Sequence, residues 1–527
     1  METPTFSKAA VAAPHIDAAR AGKSILAEGG NAIEAMLAMA ATIAVVYPHM
    51  NGIGGDGFWT IRDAKGRVRV IEACGFAGAK ATIASYRHAG HDIIPRRGPL
   101  AALTLPGAVG GWLLAHELAK SLGGRLTPRA LLHDAVEKAR GYAQSKSEAR
   151  YKHREAEQLY AAPGFAQTFF ADDKIPAAGE ARRNAKLGDT LAHLADAGFA
   201  DFYRGDVARE IAADLGRIGA PVVRDDLARY NAVLRDPLRL DLPGRALVNT
   251  PPPTVGLISL VTLGVFERLG VKRAETFEHI HGLVEASKRA LALRDAACVD
   301  FDMRRPDPAS FLSSKFIDRE AARIDMNRAA PWPLPPEEGD TVWMGAIDAG
   351  GLAVSYIQSL FWEYGSGCVL PETGVLLQNR GVSFSLEAAH PNALAPGKRP
   401  MHTLNAPLAA FADGRVMSYG SMGGDGQPQF QAQIFSRYMF GEGAAGAIDA
   451  PRFRFDKRWG APRATLKLET RFDPSVVARL ERAGHEIEMT ADSYGDQFGH
   501  AGMLVRHRDG RVEAAHDPRS DGGAEGI

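Results

Sequence analysis

A threonine hydroxyl is a weak nucleophile unless a base lies beside it. Cutting the Asp340–Thr341 bond would supply one, the freed α-amine of Thr341 itself, whose reference pKa lies near neutrality. The residues around the bond suit that chemistry. Before it runs the proline-rich polar stretch Ala330–Glu338, which can continue neither a helix nor a central strand. After it come the apolar run Thr341–Ile347, a turn at Asp348-Ala349-Gly350-Gly351 and a second run, Leu352 to Leu360, the pattern of a β-hairpin. Thr341 therefore sits where an exposed loop enters a buried strand. A threonine that merely starts a strand would look the same, so this stretch alone leaves both readings open.

Glycine clusters are the next places where chemistry could reside. Gly52, Gly54 and Gly57 spell G-x-G-x-x-G, but a dinucleotide fingerprint follows a strand and opens a helix. Here a helix comes first, Phe58–Arg62 reads as a strand, and no Lys-Ser/Thr pair follows. The segment reads instead as a tight packing turn, with His49 and Asp56 as structural residues. A second loop, Gly420-Ser421-Met422-Gly423-Gly424-Asp425-Gly426, precedes a helix from Pro428 to about Tyr438 and could be an ordinary turn.

The bulk of the chain sets bounds on these residues. Its 527 residues hold two or three ordinary domains or one large layered one, and 46% hydrophobic with 24% charged residues is the composition of a soluble globular protein. Lys+Arg and Asp+Glu both number 62, so no basic field draws nucleic acid. Cys74, Cys298 and Cys368 are odd in number and far apart, showing neither metal spacing nor a disulfide framework. No metal or organic cofactor is implied. The N-terminus lacks the pattern of a signal peptide, and the most apolar helix candidate, Ala35 to Val46, is too short to span a bilayer. A cytoplasmic location is expected.

Helical spacing predicts helices over Pro14–Glu28, Asn31–Tyr47, Leu103–Leu122, Pro128–Gly141, Leu257–Leu269 and Phe277–Asp295, with a broken one over Asp189–Ile218. Strands are predicted at Phe58–Ile61, Val68–Ile71, Ala346–Ile347, Ala353–Gln358, Val375–Leu377, Leu408–Ala412 and Val416–Gly420. The polar, Gly-rich end, Asp517 to Ile527, is expected to fray. Strand-rich regions interleaved with helix pairs point to sheets stacked between helical layers.

Taken together, eight blocks in order make the chain resemble the γ-glutamyltranspeptidase family of N-terminal-nucleophile hydrolases. They are Gly29-Gly30-Asn31-Ala32, Pro48 to Phe58, Pro251-Pro252-Pro253, Thr341 to Asp348, Gly365-Ser366-Gly367, Ala395 to Pro400, Gly420 to Gly424, and Ala447 to Phe453. The resemblance implies a mixed α/β, four-layer αββα sandwich made as one proenzyme. Self-cleavage between Asp340 and Thr341 would give a large subunit, 1–340, and a small one, 341–527, interleaved in one globular unit and in some members paired as a dimer of heterodimers. Thr341 would be the nucleophile, and the backbone N–H groups of Gly423 and Gly424 the oxyanion donors. Ser359 falls where the family has a hydroxyl residue beside the nucleophile. Thr403 and His402 fall where it has paired serines, and either could instead be structural.

Some positions depart from the transpeptidase pattern. The family's substrate-binding arginine should fall within Ile71–Gly78, where Cys74 stands; its asparagine becomes Phe361; and its ammonium-binding aspartate becomes Ser383, with Arg380 close by in sequence. A site that loses a carboxylate and gains a guanidinium should reject an α-ammonium group and favour a small carboxylate held bidentately. These substitutions are more similar to the oxamate amidohydrolase branch of the family. Arg380 is then the expected carboxylate clamp, with His402 and Phe361 beside it, and oxamate the expected substrate. The alternatives are a γ-glutamyl hydrolase or transpeptidase, an acylase for bulkier amides, and an uncleaved, inactive binding protein.

Overall fold

The computed structural model describes residues 2–170, 174–300, 306–332, 339–456 and 464–527. Most of the proline-rich stretch before Asp340, residues 333–338, lies outside the described residues.

Alternation in the Thr341 strand, Asp340–Ile347, explains the layering. Val342, Met344 and Ala346 join the apolar core shared with the helices Ile16–Ala27, Ala32–Val46, Ala108–Ser121 and Pro128–Arg140. Trp343 and Ile347 point the other way, into a core with Leu408, Val416, Leu504 and Val512. A period of two thus buries both faces of one strand against different partners. Two seven-stranded sheets result. The first runs Gly523–Gly526, Ala10–Ala13, Asp340–Ile347, Ala353–Phe361, Asp56–Arg62, Val68–Ala73, Val233–Arg235. The second runs Thr5–Phe6, Val512–His516, Ala501–Arg506, Val416–Ser421, Leu408–Phe411, Arg245–Asn249, Leu238–Leu242. All neighbours in both are antiparallel. A third apolar cluster joins the far face of the second sheet to the helices Gly256–Arg268, Phe277–Leu291 and Gly426–Met439. The order helix, sheet, sheet, helix is the expected αββα sandwich.

Trp343 keys the two sheets together. A Cβ on Gly420 would lie 2.2 Å from its ring and one on Gly502 2.3 Å, so both glycines exist to admit the indole. Its Nε1–H donates to Ser355 Oγ at 2.9 Å, which satisfies the one polar group buried with it. Both sheets combine strands from before and after residue 340, so neither stretch completes a sheet alone.

Three local expectations need correction. The C-terminal residues do not fray: Gly523–Gly526 pairs with Ala10–Ala13, and Ile527 exchanges hydrogen bonds with Lys8 and Ala9. Behind that strand, Asp517 is buried between Arg452 and Arg519, and Arg519 also binds Glu469. Order there comes from backbone pairing and buried ion pairs, which a polar, Gly-rich composition hides. Val375–Leu377 is no strand of a sheet; Leu377 and Leu376 make single bridges to Gly54 and Val369. The long helix starts at Ala108 rather than Leu103, after Pro106 and the close approach of Gly107 to Ala73.

Candidate active site

The turn His49–Gly57 positions the centre of the site. Gly54 and Gly55 lie so close to the backbone of Leu376 and Ser359 that a Cβ on either would fall 2.1 Å from a carbonyl oxygen. Only glycine permits that approach. It fixes the turn against Ser359, whose partner across the sheet is Asp56.

Thr341 is buried, and its Oγ1 donates to Gln358 O at 3.2 Å. A register shift separates Asp340, paired with Phe361, from Val342, paired with Gln358. The extra residue lies in the partner strand, where Ser359 and Leu360 together oppose Thr341, and a bulge of this kind re-aims side chains at its position. Ser359 Oγ donates to the Asp340 carbonyl oxygen at 2.7 Å and accepts from Phe361 N–H at 2.8 Å. The carbonyl before Thr341 is therefore already polarised by a hydroxyl that is itself a hydrogen-bond acceptor. The Gln358 side chain is held by Asn51, at 2.7 Å, and by Trp112 and Tyr356, which keeps the strand rigid at this point.

Beside Asp340, Phe361 has a φ of 83°, in the left-handed region. A side chain there is strained and held by its surroundings. A Cβ on Gly339 would lie 2.9 Å from its ring on one side. The Arg380 guanidinium carbon lies 3.5 Å from the ring centroid. Arg380 is buried, and its Nη1 donates to Thr403 Oγ1 at 3.2 Å. A guanidinium stacked on an aromatic face keeps its charge in the interior and stays pre-aimed. Ser383, where a family aspartate was expected, turns its hydroxyl onto the carbonyls of Arg380 and Met401.

His402 is tied by its backbone to Pro253 O and Val255 N–H, and its ring packs edge-on against Phe58. Its Nε2 lies 3.2 Å from Asp56 Oδ2. Burial pushes the imidazole pKa below its ordinary value; Asp56 pulls it up and Arg380 adds to the depression. The Asp56 partnership is the feature that sequence reading missed, having taken Asp56 as structural. An acid set within a run of turn glycines was the available signal. Cys74, standing where an arginine was expected, is buried, and burial raises its thiol pKa.

Gly423 and Gly424 have φ values of 121° and 55°. Among the described residues no protein acceptor is paired with either N–H. The strand before them runs beside the Thr341 hairpin: Ser418 Oγ donates to Val354 O, opposite Ala346, and Gly420 abuts Trp343. Ser359 and Phe361 thus flank the Asp340–Thr341 bond, Thr403 joins Arg380 above Phe361, and His402 joins Asp56.

The chain matches the gamma-glutamyltranspeptidase family over residues 18–527. It belongs to that family. It is 46% identical to a protein named oxamate amidohydrolase proenzyme from Klebsiella pneumoniae subsp. pneumoniae, covering 98% of both chains. It is 35% identical to a glutathione hydrolase-like YwrD proenzyme from Bacillus subtilis, covering 99% of both. Its structure superposes on a cephalosporin acylase from Bacillus halodurans with a TM-score of 0.91 at 29% identity, covering 100% of this chain and 97% of that one. This gamma-glutamyltranspeptidase-family chain is therefore an N-terminal-nucleophile-fold hydrolase acting on C–N amide bonds, of a kind made as a proenzyme.

One group elsewhere has metal-ligand composition that spacing could not reveal, because its third member, His485, lies about two hundred residues from the other two. His281, Glu285 and His485 are buried together. Their atoms already have protein partners: His281 Nδ1 meets His485 Nε2 at 2.8 Å and Lys288 donates to Glu285 at 2.6 Å. No described helix is long and apolar enough to cross a membrane.

Proposed function

We propose that the chain cuts itself between Asp340 and Thr341 and that the mature Thr341 hydrolyses oxamate to oxalate and ammonia. In the first reaction the Thr341 hydroxyl attacks the Asp340 carbonyl, and water then hydrolyses the ester, leaving subunits 1–340 and 341–527. The Ser359 hydrogen bond to that carbonyl, at 2.7 Å, supports this step. In the second, the Thr341 hydroxyl attacks the oxamate amide carbon while the α-amine takes its proton and passes it to the departing nitrogen. Ammonia leaves, and water hydrolyses oxalyl-Thr341 to oxalate. Gly423 and Gly424 N–H receive the oxyanion, a role their unpaired donors suit.

The observation that carries the substrate assignment is the buried Arg380, stacked on Phe361 and bonded to Thr403. A desolvated guanidinium favours a carboxylate and opposes an ammonium. The similarity to the Klebsiella protein supports the same reading. A cytoplasmic location and pairing of two cleaved heterodimers belong to this proposal; the three free cysteines are consistent with that compartment.

Ammonia release from oxamate by matured protein, beside a Thr341→Ala control, tests it. Release that vanishes in the control supports the reading. Turnover of a γ-glutamyl anilide or a cephalosporin side chain without turnover of oxamate would overturn the substrate and leave the nucleophile.

A further inference from the structure

None of the steps above uses the contact between Asp56 and His402. Asp56 is 1% exposed, and its two oxygens differ in their surroundings. Oδ1 accepts from Gly75 N–H at 2.8 Å and from Gln378 Nε2 at 2.9 Å, and Gln378 is itself fixed by a bond to Leu105 O. Oδ2 faces His402 Nε2. A buried carboxylate held by two neutral donors faces one ring nitrogen at 3.2 Å, and among the described residues Asp56 Oδ2 and both His402 ring nitrogens are buried without a hydrogen bond in this state of the site.

We infer that Asp56 is a positioning residue that lets His402 take up a proton when a carboxylate binds at Arg380, so that the loaded clamp presents a guanidinium and an imidazolium together. The inference rests on Arg380 being the carboxylate clamp. The charged groups facing His402 are Asp56, from the strand Asp56–Arg62, and Arg380, from the turn Arg380–Ser383. Phe58 covers the ring, and the 253–255 segment meets the His402 backbone. Phe58 shares a small apolar cluster with Cys74, and near that thiol lies an ion network in which Glu72 pairs with Arg235 and Arg399, and Arg399 with Asp300. That network holds equal numbers of acids and bases, so its net field on His402 is small.

In the unliganded site burial and Arg380 both lower the imidazole pKa, while Asp56 pulls the other way. A bound carboxylate cancels the guanidinium's field at the ring. Asp56 is then the nearest uncompensated charge, and it favours the imidazolium. Proton uptake and carboxylate binding are reciprocal, so binding must tighten as pH falls. An imidazolium beside a guanidinium also rejects an α-ammonium group more strongly than either alone. The pair is therefore a specificity device for a small carboxylate that carries no amine.

The test is calorimetric titration of matured protein with oxalate, in buffers of different ionisation heat, at several pH values between 6 and 8. The expected result is uptake of up to one proton per site, growing as pH falls, with affinity rising by at most about tenfold per pH unit. Asp56→Asn should bind oxalate more weakly and without uptake. His402→Gln, which keeps the ring's approximate volume and cannot take a proton at these pH values, should also lose the uptake. A misfolded Asp56 variant thus leaves the wild-type and His402 results to decide. Oxalate binding by the wild type without proton uptake, or uptake that survives in His402→Gln, would overturn the inference while leaving the clamp. No oxalate binding by the wild type would overturn both.

Discussion

Ser359→Ala should slow self-cleavage more than it harms the fold. The Ser359 hydroxyl donates to Asp340 O at 2.7 Å, the carbonyl that Thr341 is proposed to attack. It also accepts from Phe361 N–H, so its dipole is aligned and strengthened before any reaction starts. As that carbonyl becomes an oxyanion the bond turns charge-assisted, and such bonds contribute roughly 1.5–3 kcal/mol. At 1.36 kcal/mol per tenfold, cleavage should slow roughly ten- to a hundredfold. The Phe361 N–H loses its acceptor as well, a cost to stability of about 1–3 kcal/mol, so thermal melting of the variant must be measured alongside. The assay is a denaturing-gel time course of the precursor band, with Ser359→Thr as the variant that keeps a hydroxyl. Unchanged cleavage in a folded Ser359→Ala protein would refute the polarising role, and cleavage equally slow in Ser359→Thr would attribute the effect to packing.

Arg380→Lys keeps the charge but loses the second hydrogen bond and the stack on Phe361, so kcat/KM for oxamate should fall roughly 30-fold or more, an effect of about 2 kcal/mol or above; a change under threefold, measured by ammonia release, would remove Arg380 from the substrate site. His485 offers a pH prediction. Burial, with Lys288 and His281 beside it, pushes its pKa down to about 3, from 6.5. The folded protein thus holds this ring neutral where the unfolded chain protonates it, so its stabilisation is complete above about pH 6.5 and is lost as pH falls towards 3. The unfolding free energy from urea titrations should drop between pH 7 and pH 5 by up to about 1.4 kcal/mol per pH unit from this site. His485→Gln should flatten the slope, and an unchanged slope would contradict the assignment.

Local chemistry was legible in the chain; long-range pairing was not. The Asp340–Thr341 hairpin and the capping of the helix Ala32–Val46 by Asn31 rest on neighbours close in sequence. The four-layer sandwich was legible through resemblance and through the switch from helical to alternating periodicity. The Asp56–His402 contact joins residues on either side of the cleavage site, and the His281–His485 contact spans the same bond, so no local spacing signals them. The ordered C-terminus was hidden for a similar reason. Its Gly-rich strand gains its register from Ala10–Ala13 at the opposite end of the chain, and its anchor, Asp517, from Arg452 and Arg519.

Thr341 carries both proposed reactions. N-terminal sequencing of the small subunit, run on the same preparation as the oxamate assay, tests it most directly. The expected result is a fragment beginning at Thr341 in wild-type protein that releases ammonia, and a single unprocessed, inactive chain for Thr341→Ala. Ammonia release from an uncut wild-type chain, or from the Thr341→Ala chain, would contradict it.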